Sequence, residues 1–156
     1  MFKKIICATD LSPRSDEALH TAIHMATRFG AALMVLNVHE EFMDKDEMVM
    51  LRVSVEQMQE RFREIAVNAR KLMAEQVAAT GVDNLDVEYV LREGKGGEAI
   101  VRYAQEIAGA GDKCDTLIVM GTNGKHALLD RLLGSVAQHV IKESPYPVLV
   151  VPAMAG

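Results

Sequence analysis

Thr116-Leu117-Ile118-Val119-Met120 runs into Gly121-Thr122-Asn123-Gly124, nine residues follow, and then come Gly134-Ser135 and the apolar stretch Tyr146-Pro147-Val148-Leu149-Val150-Val151. Two runs of strand length flank a glycine-spaced turn and a helix that begins at Ser135. Glycine has no Cβ, so such a turn brings main-chain N–H groups within hydrogen-bonding distance of an anion. At average residue usage the four fixed positions coincide by chance about once in 25,000 starting points, which makes ordinary turn glycines the weaker reading.

Working outward, further apolar runs occupy 4–9, 32–38 and 85–91, giving five strands in all. Most are continuous in Val, Ile and Leu, the habit of parallel strands covered on both faces. Helices fit between them. Ser12 is placed to cap the first, with Pro13 in its first turn, Asp16 and Glu17 after it, and Gly30 at its end. Ala18, Leu19, Ala22, Ile23, Ala26 and Phe29 give it one apolar face. Another spans 97–108 with Ile100, Val101, Ala104 and Ile107 inward.

The second helical region is expected over 51–79, where Leu51, Val55, Met58, Phe62, Ile65, Ala69 and Leu72 alternate four and three apart. A coiled coil fits that spacing, but so does a long helix covering a sheet, and the latter is preferred. At 1.5 Å per residue it spans about 44 Å against about 20 Å for a six-residue strand, so it should overhang or kink. Residues 40–50 lack a clear period and read as a mobile connection.

Strand and helix thus alternate in an open α/β sandwich with right-handed crossovers, one domain over 1–156. With strand order 3-2-1-4-5 the winding reverses between the first and fourth strands and opens a crevice at their carboxyl ends, beside Asp10 and Gly121. The glycine pattern falls at that crevice.

Composition narrows the function classes. The net charge is −5 with no dense Lys/Arg block and no Trp, so the footprint of a nucleic-acid binder is missing. The opening apolar run is too short for a signal peptide, Asp10 ends it, and no stretch is long enough to span a bilayer. Cys7 and Cys114 read as buried thiols in a reducing compartment, and the cytoplasm is the expected location.

These residues resemble the universal stress proteins, specifically the ATP-binding branch, whose pattern is G-x2-G-x9-G-[ST]. The resemblance covers the whole chain, including Ile5-Ile6-Cys7-Ala8-Thr9-Asp10-Leu11-Ser12, Leu36-Asn37-Val38-His39 and Leu132-Leu133-Gly134-Ser135-Val136. It implies a Rossmann-like 3-2-1-4-5 sheet, commonly a homodimer, and ATP (or ADP or AMP) with Mg2+ held by largely main-chain contacts. Carried over by position, Ala8, Thr9, Asp10 and Val38 would line the adenine and ribose end, and Met120 and Gly121 the ribose. Gly124, Gly134, Ser135 and Val136 would present N–H groups to the phosphates. Asn123 stands where many relatives carry His or Arg, which puts triphosphate affinity in question; Lys125 or His126 could substitute.

Other patterns in the chain are weaker. Gly124-Lys125 is not a P-loop, since Val119 and His126 occupy positions that need glycine and Ser/Thr. Gly94-Lys95-Gly96-Gly97-Glu98-Ala99 reads as G-x-G-x-x-A, but Asp115 begins the next strand instead of ending it, so the stretch is taken as a flexible turn. His20 and His24 lack a third ligand and read as a surface pair, and Asp10 could act only as a helix cap with Ser12. The leading function is a regulatory module that binds ATP and reads out to a protein partner. The alternatives are a slow ATP hydrolase using Asp10 and Ser135, or a structural dimer without nucleotide. The dimer is expected through the edge strand 146–151.

Overall fold

The computed structural model describes residues 1–40, 44–122 and 133–153. Five parallel strands, β1 (Lys4–Ala8), β2 (Ala32–His39), β3 (Val87–Glu93), β4 (Thr116–Gly121) and β5 (Val148–Val151), stand in the order β3-β2-β1-β4-β5. The order is the one expected, and β1 and β4 meet where the winding reverses, Ala8 beside Met120.

Strand parity divides the core in two. Odd-numbered Ile5, Cys7, Leu33, Val35, Leu117 and Val119 face α1 (Asp16–Phe29) and α3 (Val55–Ala78). Even-numbered Ile6, Met34, Leu36, Ile118 and Met120 face α4 (Gly96–Ala108) and α5 (Ser135–Glu143). Successive side chains on a strand point to opposite faces, so a doubly covered sheet needs apolar residues at both parities.

Boundaries moved where polar side chains obscured them. β3 runs on through Arg92 and Glu93 because it is an edge strand, pairing Glu93 with His39, where a charged side chain can reach water. β5 starts at Val148, two residues later than expected. Pro147 has no N–H, and the Tyr146 N–H donates to Ser144 Oγ at 3.0 Å, so the ladder begins with Ile118 N donating to the Pro147 carbonyl at 3.0 Å.

The helix expected over 51–79 is α3, which starts at Val55, and a separate short helix precedes it. α2 (Lys45–Met50) opens on a capping box between Asp44 and Glu47, and α3 on another between Ser54 and Gln57. Leu51 caps α2, and Arg52 at φ 54° turns the chain. Within the connection expected over 40–50, Lys45–Met50 is therefore helical. In α3 the buried residues are Ala66, Ala69, Met73 and Val77, a helical stripe that leaves the heptad positions Val55 (63% exposed) and Leu72 (38%) in water. The sheet-covering reading holds, and the first turns of α3 overhang, whereas Phe62 and Ile65 already pack on the core.

Ser12 does not cap α1. A 3-10 turn, Pro13–Ser15, precedes the helix, and the Ser12 hydroxyl donates instead to Asp10. Gly30 ends α1 with φ 63°. His20 and His24 are exposed, as a surface pair should be. Cys7 is fully buried and its thiol is pushed up to about 12 by desolvation. Cys114 is exposed, contrary to expectation, because it sits in the 3-10 turn Lys113–Asp115 ahead of β4. No helix among the described residues is long and apolar enough to cross a membrane.

Candidate functional site

Beyond Ala8 the chain is held by side-chain hydrogen bonds. Thr9 N donates to the Leu36 carbonyl at 2.9 Å, and Asn37 Nδ2 donates to the Thr9 carbonyl at 2.9 Å. Ser15 Oγ gives its one proton to the Ser12 carbonyl at 2.8 Å, so Thr9 Oγ1, 2.7 Å away, must be the donor of that pair. Thr9 Oγ1 in turn accepts from Leu11 N at 3.0 Å, and Leu11 takes a left-handed φ of 66°. A non-glycine residue there is uncommon and needs surrounding structure to hold it; these bonds, with Gln76 Nε2 donating to the Leu11 carbonyl at 3.4 Å, are that structure.

The turn presents Asp10. Its Oδ1 accepts from Ser12 N at 2.9 Å and from Ser12 Oγ at 2.6 Å. Its Oδ2 is buried without a hydrogen-bond partner among the described residues. A buried carboxylate oxygen in that state is costly unless a donor meets it, and a ribose hydroxyl or an exocyclic amino group is such a donor. The cap-only reading of Asp10 explains one oxygen and leaves the other unexplained.

Ala8, Val38 and Met120 share strand parity and all face the α4/α5 side at the carboxyl ends of β1, β2 and β4. Gly121 ends β4 opposite Val151. Thr122 and Gly134 are joined by Gly134 N donating to the Thr122 carbonyl at 2.7 Å, which pins together the two ends of the glycine-spaced segment. That N–H is therefore engaged within the chain, and the amides at the start of α5 that have no intrahelical acceptor begin at Ser135 and Val136. The positive end of α5 adds to their attraction for an anion. Gly124, with Asn123, Lys125 and His126, lies outside the described residues.

Asn37 and Ser15 were not singled out from sequence. For Asn37 the signal was present, a lone amide inside an otherwise apolar strand, buried and therefore in need of a partner. A separate groove of about 620 Å3 lies under the overhang, between α2 and the first turns of α3, with Met48, Val55, Met58, Phe62 and Glu93 on its walls. It shares no residue with the crevice between β1 and β4.

The comparisons agree with this architecture. A universal stress protein of Thermus aquaticus is 36% identical over 151 residues, 97% of this chain and 99% of that one. The solved structure of MJ0577, a universal stress protein of Methanocaldococcus jannaschii, superposes with TM-score 0.76 at 28% identity, covering 100% of this chain and 99% of its own. A universal stress protein crystallised in complex with cAMP shares the fold at TM-score 0.65 and 24% identity, with 98% and 99% of the two chains covered. The universal stress protein family model matches residues 1–152, and with the fold and the strand order in agreement, this chain belongs to that family.

Proposed function

We propose that this protein is a cytoplasmic stress-response regulator that binds an adenine nucleotide, ATP or else ADP or AMP, in the crevice between β1 and β4. The observation that carries the reading is the bare, buried Oδ2 of Asp10 on the β1 side of a crevice whose β4 side leads into the amino end of α5. One needs a hydrogen-bond donor and the other attracts an anion, and a nucleotide brings both. The related protein solved with cAMP supports the reading only by sharing the fold.

In this reading Ala8, Thr9, Asp10 and Val38 hold the adenine and ribose end, Met120 and Gly121 flank the ribose, and Gly124, Ser135 and Val136 meet the phosphates. Gly134 closes the loop by its bond to Thr122 and lets the chain approach the ligand. Magnesium, when bound with the nucleotide, would offset the phosphate charge, and the Ser135 hydroxyl would help to hold it. Occupancy regulates a partner only by as much as ATP, ADP and AMP differ in affinity for two conformations. The chain pairs with a second copy along the free edge of β5, where backbone groups would otherwise stay unpaired.

Mass analysis of small molecules released from gently purified protein tests the ligand. ATP is the expected species; protein that is folded, ligand-free and indifferent to added ATP, ADP and AMP would refute the reading. Turnover by wild type and Asp10→Asn at the same near-background rate is expected of a regulator, whereas a large loss in Asp10→Asn would favour hydrolysis. Sedimentation should show a dimer at micromolar concentration, and monomer alone would contradict pairing through β5.

A further inference from the structure

The glycines at the start of α4 are not a loose turn. Gly96 and Gly97 lie in the first turn of the helix, and both face α5. A Cβ on Gly97 would lie 2.8 Å from His139 Cβ and Cγ and 2.7 Å from His139 Cδ2. A Cβ on Gly96 would lie 3.1 Å from Val136 Cγ2. Swinging the imidazole away cannot relieve the first clash, because His139 Cβ is fixed to the α5 backbone. Relief requires the two helices to part by about 0.6 Å, the shortfall from 3.4 Å, where ordinary contact begins.

α5 is poorly able to resist such a push. It has nine residues, buries only Ala137 and Val140, and packs more extensively on α4 than on β5. Its first two residues, Ser135 and Val136, carry the amides assigned to the phosphates. α4 buries seven residues, from Gly97 to Ala108, and is the firmer of the two.

We infer that Gly97 is a positioning residue for the phosphate end of the crevice: its missing Cβ lets α5 seat against α4 at the depth that aims the Ser135 and Val136 N–H groups. The inference rests on the nucleotide reading and deepens it. It separates two ends of one ligand, because the adenine end is assigned to residues at the ends of β1 and β2, whereas Gly97 meets His139 on α5.

The test is calorimetric titration with ATP and with adenosine of wild type, Gly97→Ala, His139→Gly, and the double variant Gly97→Ala with His139→Gly, which removes the side chain that the added Cβ would meet. Gly97→Ala is expected to weaken ATP about tenfold while adenosine changes by less than about twofold. In the double variant the added Cβ meets no His139 side chain, so recovery means an ATP affinity close to that of His139→Gly alone. Equal weakening of ATP and adenosine, unaltered ATP binding in Gly97→Ala, or no recovery in the double variant would each overturn the inference while leaving the nucleotide reading intact. A wild type that binds neither compound would remove the nucleotide reading and this role with it. Should Gly97→Ala fail to fold, Gly96→Ala supplies a gentler push on the same seam through Val136, and a selective loss of ATP affinity is expected there too; none would count against the inference.

Discussion

The two faces of the sheet are built to different ends. Under α1 and α3 the core is deep: Ile5, Cys7, Leu33, Val35, Leu19, Ala22 and Met73 are all essentially without solvent contact. Under α4 and α5 the core is anchored by α4, whereas α5 adds only two buried side chains. Yet Ala8, Val38, Met120 and the start of α5 all belong to the second face. The difference separates stability from recognition, because the helix that would meet the ligand is held by a seam with its neighbour and not by a large apolar footprint.

The strongest challenge to this contrast pairs Leu19→Ala with Val140→Ala. Leu19→Ala should cost about 3 kcal/mol by cavity formation, read from the urea midpoint, and leave the ATP affinity of the folded protein unchanged. Val140→Ala, on α5, should cost less, about 2 kcal/mol, and weaken ATP as well. The reverse pattern, affinity lost with Leu19 and kept with Val140, would break the comparison.

Next in size is a pH effect from the deep face. The Cys7 thiol has an ordinary value of 9.0 and is pushed up to about 12 by burial, so the unfolded chain releases a proton that the folded one keeps. Its contribution is complete below pH 9 and is lost as pH rises toward 12, the loss reaching on the order of 1 to 2 kcal/mol by pH 10. Tyr103, pushed up to about 12 by burial first and Glu88 second, adds its own decline above pH 10. Comparing wild type with Cys7→Ala at pH 8 and pH 10 isolates the thiol; equal losses in the two proteins would deny it a role.

The smallest effect sharpens the picture at the boundary of the faces. Asn37→Ala removes the donor to the Thr9 carbonyl and should cost about 1 kcal/mol in the urea midpoint. It should also loosen Asp10, so nucleotide affinity is expected to fall. A variant with normal affinity would mean that the turn after β1 keeps its shape without Asn37.

Much of this was legible in the sequence for a physical reason. Parallel strands buried on both sides must be apolar at both parities, so β1, β2 and β4 appear as continuous runs, while their order came from the family resemblance. β3 was placed early because the end of an edge strand is polar. α2 was hidden because none of its residues is buried, although Asp44 and Glu47 spell a capping box that local reading could have found. At the site, the residue types near Asp10 and Ser135 were readable. The bare Oδ2 of Asp10 and the clash awaiting a Cβ at Gly97 were not, since each depends on side chains brought together from distant parts of the chain.

Calorimetric titration of ATP with magnesium into wild type and Asp10→Ala bears most directly on the crevice between β1 and β4. The expected result is one saturable site per chain in wild type and an affinity lower by about tenfold or more once the carboxylate is gone. No saturable binding to the folded wild-type protein, or the same affinity in both proteins, would contradict the assignment.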